Sequence, residues 1–173
     1  YKKKLKTRVA ITYEVVCPTT DPTIPNFLAR DINQFWMASD PAGSLFDAKR
    51  FSGEFGDYNK MHGYYASTGG GKNTTTRFRR YPREADGKPV DHLALTQRDG
   101  DPDFMITPDR VMKVQLVAYD EVIQYIVDGK LVYEVGPEDA VQVESLDDQG
   151  KKVIRDATYS SADFPAYTEG YFG

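Results

Sequence analysis

One cysteine, one tryptophan and two histidines are all that this 173-residue chain holds of the residues that most often announce a cofactor or a redox framework. Cys17 alone closes no internal disulfide, and it neither proves nor excludes export. Zinc is argued against by the same poverty, since His62 and His92 stand far apart and no pair has ligand spacing. No run of about 18 apolar residues is present, so no membrane span is expected. The opening Tyr1-Lys-Lys-Lys-Leu-Lys lacks the apolar stretch of a signal peptide, so an exported form would already have lost its leader. Positive charge is also in deficit: Lys+Arg 22 against Asp+Glu 26 leaves −4, which argues against a general nucleic-acid binder and requires any basic site to be local.

What the chain does have is rings and turns: 12 Tyr and 9 Phe beside 14 Gly and 10 Pro, a mixture that suits a turn-rich β protein. The length suits one domain over residues 1–173. Residues 5–17 alternate through Val9, Ile11 and Tyr13 and read as a strand. The lysines at positions 2, 3, 4 and 6 before it serve either as an anion-binding arm or as a solvated strand end that protects an edge. After a proline-rich loop over 18–31, the segment 31–40 reads as a buried strand. Residues 61–67 and 74–81 form a hairpin about the Thr68-Gly-Gly-Gly-Lys-Asn73 turn. A short strand is expected at 92–96, with alternating strands over 110–119 and 122–127. Asp128-Gly129 turns the chain into 131–135, the strongest hairpin signal in the sequence. The segment 136–166 is acidic at its start and looks like an insertion, with one more strand over 151–159. Eight to ten short strands without a long helix predict an all-β, two-sheet antiparallel sandwich or jelly roll.

Composition departs furthest from background between residues 51 and 83. Four arginines, Arg77, Arg79, Arg80 and Arg83, lie beside Phe51, Phe55, Tyr58, Tyr64, Tyr65, Phe78 and Tyr81. Sugars offer apolar C–H faces to aromatic rings and hydroxyls to Arg, Asn and Tyr. The planar fork of Arg holds a carboxylate with two parallel bonds, so an acidic glycan is favoured over a neutral one. If Phe78 faces the core, strand alternation turns Arg77, Arg79 and Tyr81 outward and leaves Arg80 near the strand end. The same arginines would equally serve a solvated strand face bearing ion pairs.

On a uronate, β-elimination is the economical chemistry. Arg or Asn neutralises the carboxylate, a Tyr or His takes the neighbouring proton, and a Tyr protonates the leaving oxygen. The catalytic candidates are His62, Tyr64, Tyr65, Arg77 and Arg79, with His62 and Tyr64 sharing one strand face. Asn73, Tyr81, Arg80, Trp36 and His92 are candidates for substrate binding, Trp36 serving either as a sugar platform or in the core. Hydrolysis needs two carboxylates at a set separation, and no strand motif supplies them, although loops can. A non-catalytic binding module would use the same rings and arginines. Asp99, Asp101 and Asp103 offer oxygens for a structural Ca²⁺ or simply form an acidic turn. Gly69-Gly-Gly-Lys-Asn-Thr is no phosphate loop, because Ala66 stands where the first Gly belongs and Asn73 follows Lys72.

The blocks Asn33-Gln-Phe-Trp-Met-Ala-Ser-Asp-Pro, Leu45-Phe-Asp, Asn73-Thr-Thr-Thr-Arg-Phe-Arg-Arg-Tyr81 and Val127-Asp-Gly-Lys-Leu-Val carry a resemblance. With Tyr167-Thr-Glu-Gly-Tyr-Phe-Gly173, they resemble a bacterial family of concanavalin A-like jelly-roll domains related to the YesU-like proteins, associated with pectin and rhamnogalacturonan breakdown. The resemblance implies a two-sheet jelly roll with a concave, glycan-facing surface. It also implies a periplasmic or extracellular protein whose partner is a polysaccharide or oligosaccharide. It names no reaction and no oligomeric state. The expected closing strand after Phe172-Gly173 is either absent from the sequence or replaced by another segment.

Overall fold

The computed structural model describes residues 2–173; Tyr1, the first residue of the basic opening, lies outside them. In chain order the strands are β1 (Leu5–Lys6), β2 (Val9–Val15), β3 (Ile32–Ser39), β4 (His62–Gly69), β5 (Thr75–Tyr81), β6 (Glu84–Ala85) and β7 (Lys88–Pro89). They continue as β8 (His92–Leu95), β9 (Met112–Tyr119), β10 (Val122–Val127), β11 (Lys130–Val135), β12 (Ala140–Leu146), β13 (Lys152–Thr158) and β14 (Glu169–Gly170). A six-stranded antiparallel sheet, β13-β12-β8-β5-β4-β3, packs on a four-stranded one, β11-β10-β9-β2. The protein is an all-β sandwich of jelly-roll type. No helix among the described residues is long and apolar enough to cross a membrane.

Alternation in the sequence sets the two faces of each sheet. In β9, Met112, Val114, Leu116 and Ala118 are buried while the residues between them face out, the period of two that a half-buried strand demands. Trp36, Phe78, Leu93, Leu116, Tyr125 and Val143 meet in one core between the sheets, each fully buried large side chain contributing about 1.5–3 kcal/mol of transfer free energy. Polar atoms tie the layers together: the Trp36 indole donates to the Val117 carbonyl at 3.3 Å, and the Tyr13 hydroxyl donates to Gln34 Oε1 at 2.7 Å.

Strand β3 breaks strict alternation, because Trp36 and Met37 are both fully buried. A register shift between Trp36 and Ser39, with Met37 at φ 51°, turns both inward, as a bulge does. The β10–β11 turn is made by Asp128 and Gly129 at φ 52° and 76°, the positive values that a tight primed hairpin turn requires.

The segment 136–166, expected as an insertion, is instead integral to the sandwich. Strand β12 pairs with β8 through Val143↔Leu93 and Glu144↔His92, β13 pairs with β12, and Tyr159 and Phe164 enter the core. Its acidic residues mask a strand whose inward side chains are Val141 and Val143. Beyond it, residues 169–173 run along the free edge of β3: Phe35 and Gly173 exchange both backbone hydrogen bonds, and Ala38 bridges Tyr171. Gly170 lies so close to Met37 that an added Cβ would sit 2.1 Å from its carbonyl carbon. Only a glycine allows the tail to cross the bulge there.

Candidate functional site on the outer sheet face

The hairpin β4–β5 carries two tyrosine–arginine pairs in adjacent registers, Tyr64↔Arg80 and Tyr65↔Arg79. Successive residues of a strand point to opposite faces, so the pairs are separated by the sheet. Asn33 and Phe35 of β3, Tyr65 and Ser67 of β4, Arg77, Arg79 and Tyr81 of β5, and His92 and Ala94 of β8 share the outer face by register. The expected outward set Arg77, Arg79 and Tyr81 is therefore placed together, and Tyr65 joins it.

Geometry on this face is specific. The Tyr65 hydroxyl donates to Asn33 Oδ1 at 2.9 Å, and the Arg79 guanidinium stands 5.7 Å from the Tyr65 ring centroid. Arg77 is neutralised by Asp99, at 2.7 Å. Arg83 is held by Glu144 at 3.5 Å and by His92 Nε2 at 3.4 Å. Arg79, between them and partly buried, has no carboxylate partner among the described residues. Burial, and then the like charges of Arg83 and Arg77, push its pKa down. The Tyr81 ring is fully buried, and its hydroxyl makes no well-formed hydrogen bond. Burial raises the Tyr81 pKa while Arg83 and Arg79 oppose the rise; burial raises that of Tyr65 as well.

Several candidates fall elsewhere. His62 and Tyr64 do share a strand face, but it is the inner one. His62 stacks on the Tyr167 ring at 5.5 Å, and the Tyr64 hydroxyl accepts from the Tyr167 amide at 2.9 Å. Neither reaches a ligand held by Arg79 across the sheet. Arg80 is also turned inward and is 8% exposed; its Nη2 donates to the Pro165 carbonyl at 2.8 Å and its guanidinium lies 4.3 Å over Tyr167. Trp36 is in the core, as one of its two readings had it. Asn73 clamps a loop: its Nδ2 donates to the Ile106 carbonyl and its Oδ1 accepts from the Ile106 amide. His92 belongs to the outer face by register but is 2% exposed, covered by Arg83 and Glu144. Its Nδ1 faces the Val90 carbonyl at 2.9 Å, which makes Nδ1 the protonated nitrogen and leaves Nε2 to accept from Arg83.

The three aspartates considered for Ca²⁺ do not converge. Asp99 binds Arg77, Asp101 caps the turn at Asp103 by accepting from its amide, and Asp103 pairs with Lys130. No group of metal-ligating side chains gathers among the described residues.

Asn33 and Phe35 were missed as site residues. The signal lay in the strand period of 31–40, which pairs them on the face opposite Gln34 and Trp36. Around Phe35 the excursion 44–60 folds back, so that Phe55 meets Tyr65 at 5.6 Å and Tyr58 meets Phe35 at 5.8 Å. Between this excursion and the β3 edge lies an open cleft of about 470 Å³.

Fold and site together define a β-sandwich protein with an arginine–tyrosine face on its larger sheet. By sequence the chain belongs to a family described as a domain of unknown function (DUF6250), matched over residues 1–145. Neither a curated protein nor a solved structure matches it.

Proposed function

We propose that this protein binds an acidic, uronate-containing polysaccharide along the outer face of its six-stranded sheet. The observation that carries the reading is Arg79, a partly buried guanidinium with no carboxylate among the described residues to neutralise it. A buried or half-buried cation normally has a partner, and a planar carboxylate from a ligand suits this one. Asn33, exposed beside it, offers an amide of the kind that satisfies sugar hydroxyls, and the buried Tyr65 holds that amide through its hydroxyl.

Binding is favoured over β-elimination. Of the two histidines, half-buried His62 lies on the side of the sheet opposite Arg79, stacked on Tyr167, and His92 has its ring nitrogens engaged by Val90 and Arg83. Tyr65 and Tyr81 have pKa values raised by burial, which suits a proton donor and not a base. Hydrolysis is supported less, because Asp99 and Glu144 are each engaged in ion pairs. The concanavalin A-like resemblance and an extracellular or periplasmic setting belong to the same proposal, since such polymers lie outside the cell.

Affinity electrophoresis in gels containing polygalacturonate, alginate or neutral glucan tests it. Retardation by the uronate gels, weakening with added salt and absent with Arg79→Ala, is the expected result. Equal mobility in all gels at low salt would overturn the reading. Appearance of near-ultraviolet absorbance from an unsaturated uronate would replace binding with lyase chemistry.

A further inference from the structure

The cleft beside the arginine face has the wrong chemistry for a bare sugar. Phe35, Phe46, Phe51, Phe55, Tyr58 and Leu45 line it, and Asn33 and the Tyr58 hydroxyl supply the polar side-chain atoms among these lining residues. A saccharide placed there would bury hydroxyls without partners, which is costly. The cleft already holds a stacked pair, Phe51 on Tyr58, and an edge-on pair, Phe55 against Tyr58, and an aromatic group would add to this cluster in the geometries that aromatic rings prefer. The cleft is also of the size in which small ligands are held, about 300–1,000 Å³.

Cleft and arginine face are continuous. Asn33 and Phe35 belong to both. Tyr65 stands between them, with Phe35 at 4.9 Å and Phe55 at 5.6 Å on one side and the Arg79 guanidinium at 5.7 Å on the other. Charge marks both rims. Arg79 has no acidic partner at one, and at the other Lys2 Nζ stands 5.9 Å over the Phe46 ring and makes no ion pair among the described residues. An apolar cleft between two unneutralised cations is complementary to an anionic ligand with an aromatic part.

Resting on the acidic-glycan reading, we infer that the ligand is a uronate saccharide bearing an aromatic substituent, its carboxylate on Arg79 and its ring in the cleft.

Titration by nuclear magnetic resonance with methyl β-D-glucuronide, 4-nitrophenyl β-D-glucuronide and 4-nitrophenyl β-D-glucoside separates the parts. The aryl glucuronide is expected to bind about tenfold tighter than the methyl glucuronide, from the apolar surface that one ring buries in an open cleft. Phe46 and Phe55 are 47% and 43% exposed, so Phe46→Ser and Phe55→Ser leave the fold intact. Together they should remove the aryl advantage and spare methyl glucuronide binding. Equal affinity for the two glucuronides, or an advantage that survives both substitutions, overturns the inference while the acidic-glycan reading stands if polygalacturonate is still bound. An aryl glucoside bound as tightly as the aryl glucuronide overturns the coupling to Arg79 and the acidic-glycan reading with it.

Discussion

Tyr64 with Arg80 and Tyr65 with Arg79 are the same two residue types at adjacent registers of one hairpin, and they do opposite things. The inner arginine is packed in: the Pro165 carbonyl, the Tyr167 ring and the Phe164 ring at 5.9 Å surround its guanidinium, although it too has no carboxylate partner among the described residues and its Nε is buried without a hydrogen bond. It pins residues 159–167 against the sheet. The outer arginine is unfinished, crowded by Arg77 and Arg83 and given no carboxylate among the described residues. Composition put four arginines in one place, but the strand period decides which of them is structural and which is available to a ligand.

The widest separation should come from Arg80. Truncation to alanine removes a charged hydrogen bond and the stacking on Tyr167, and is expected to destabilise the protein by about 2–3 kcal/mol in urea unfolding. Arg80→Met should cost less than half of that, because an apolar stem refills the space and the desolvated charge is gone. If Arg80→Ala unfolds at the same urea concentration as the parent protein, the inner pair is not structural.

Arg79→Ala is the mirror experiment. Losing a charge-assisted contact of about 1.5–3 kcal/mol weakens uronate binding by roughly 10- to 150-fold, read by affinity electrophoresis against polygalacturonate. Stability should stay within about 0.5 kcal/mol of the parent, since no carboxylate partner is lost, and the loss of the 5.7 Å contact with the Tyr65 ring is offset by relief of repulsion from Arg77 and Arg83. A large fall in stability with unchanged binding would invert the two roles.

Much of this contrast is legible in the sequence. The period of two through Arg77, Arg79 and Tyr81 predicts the outward set, and Asp128-Gly129 predicts the separate β10–β11 hairpin of the other sheet. What escaped depends on contacts between residues distant in sequence. Nothing local says that His62 will lie under Tyr167, that Asn73 will clamp Ile106, or that Asp99 will swing to Arg77 instead of joining Asp101 and Asp103. Strand β12 was hidden because Glu144, on its outer face, is polar for a reason found only in space: it receives Arg83 and Lys152. Met37 defeated the simple alternation because a bulge can turn two successive side chains inward.

A smaller effect concerns pH. Burial holds the His92 pKa below its ordinary value of 6.5, more than Val90 and Glu144 can offset. The unfolded chain then takes up the proton first, so stability is lost as pH falls from about 6.5 towards the folded value. Protonation would also remove the Nε2 lone pair that accepts from Arg83. His92→Gln should flatten the pH dependence of the urea midpoint in this window, leaving the share due to His62, whose pKa is lowered by burial and by Arg80. Glu144 acts lower. Burial alone would raise its pKa, but Lys152, His92 and Arg83 together hold it below 4.5, so its contribution disappears only at more acid pH. An unchanged slope in His92→Gln between pH 5 and 7 would show that His92 is not the group responsible.

The smallest expected change bears most directly on the outer face. The Tyr81 hydroxyl is buried without a well-formed hydrogen bond, and an unsatisfied buried polar group costs about 1–3 kcal/mol. The Arg83 guanidinium stands 6.0 Å from the Tyr81 ring centroid, a contact that offsets part of that cost. Tyr81→Phe should therefore leave the free protein unchanged or stabilise it by up to about 1 kcal/mol, the reverse of the usual sign for a buried tyrosine. Because the hydroxyl is buried, uronate binding should stay unchanged, which places Tyr81 in the scaffold beneath Asn33 and Arg79. A fall in uronate affinity with stability retained would instead show that the hydroxyl becomes accessible to a sugar oxygen when the ligand binds.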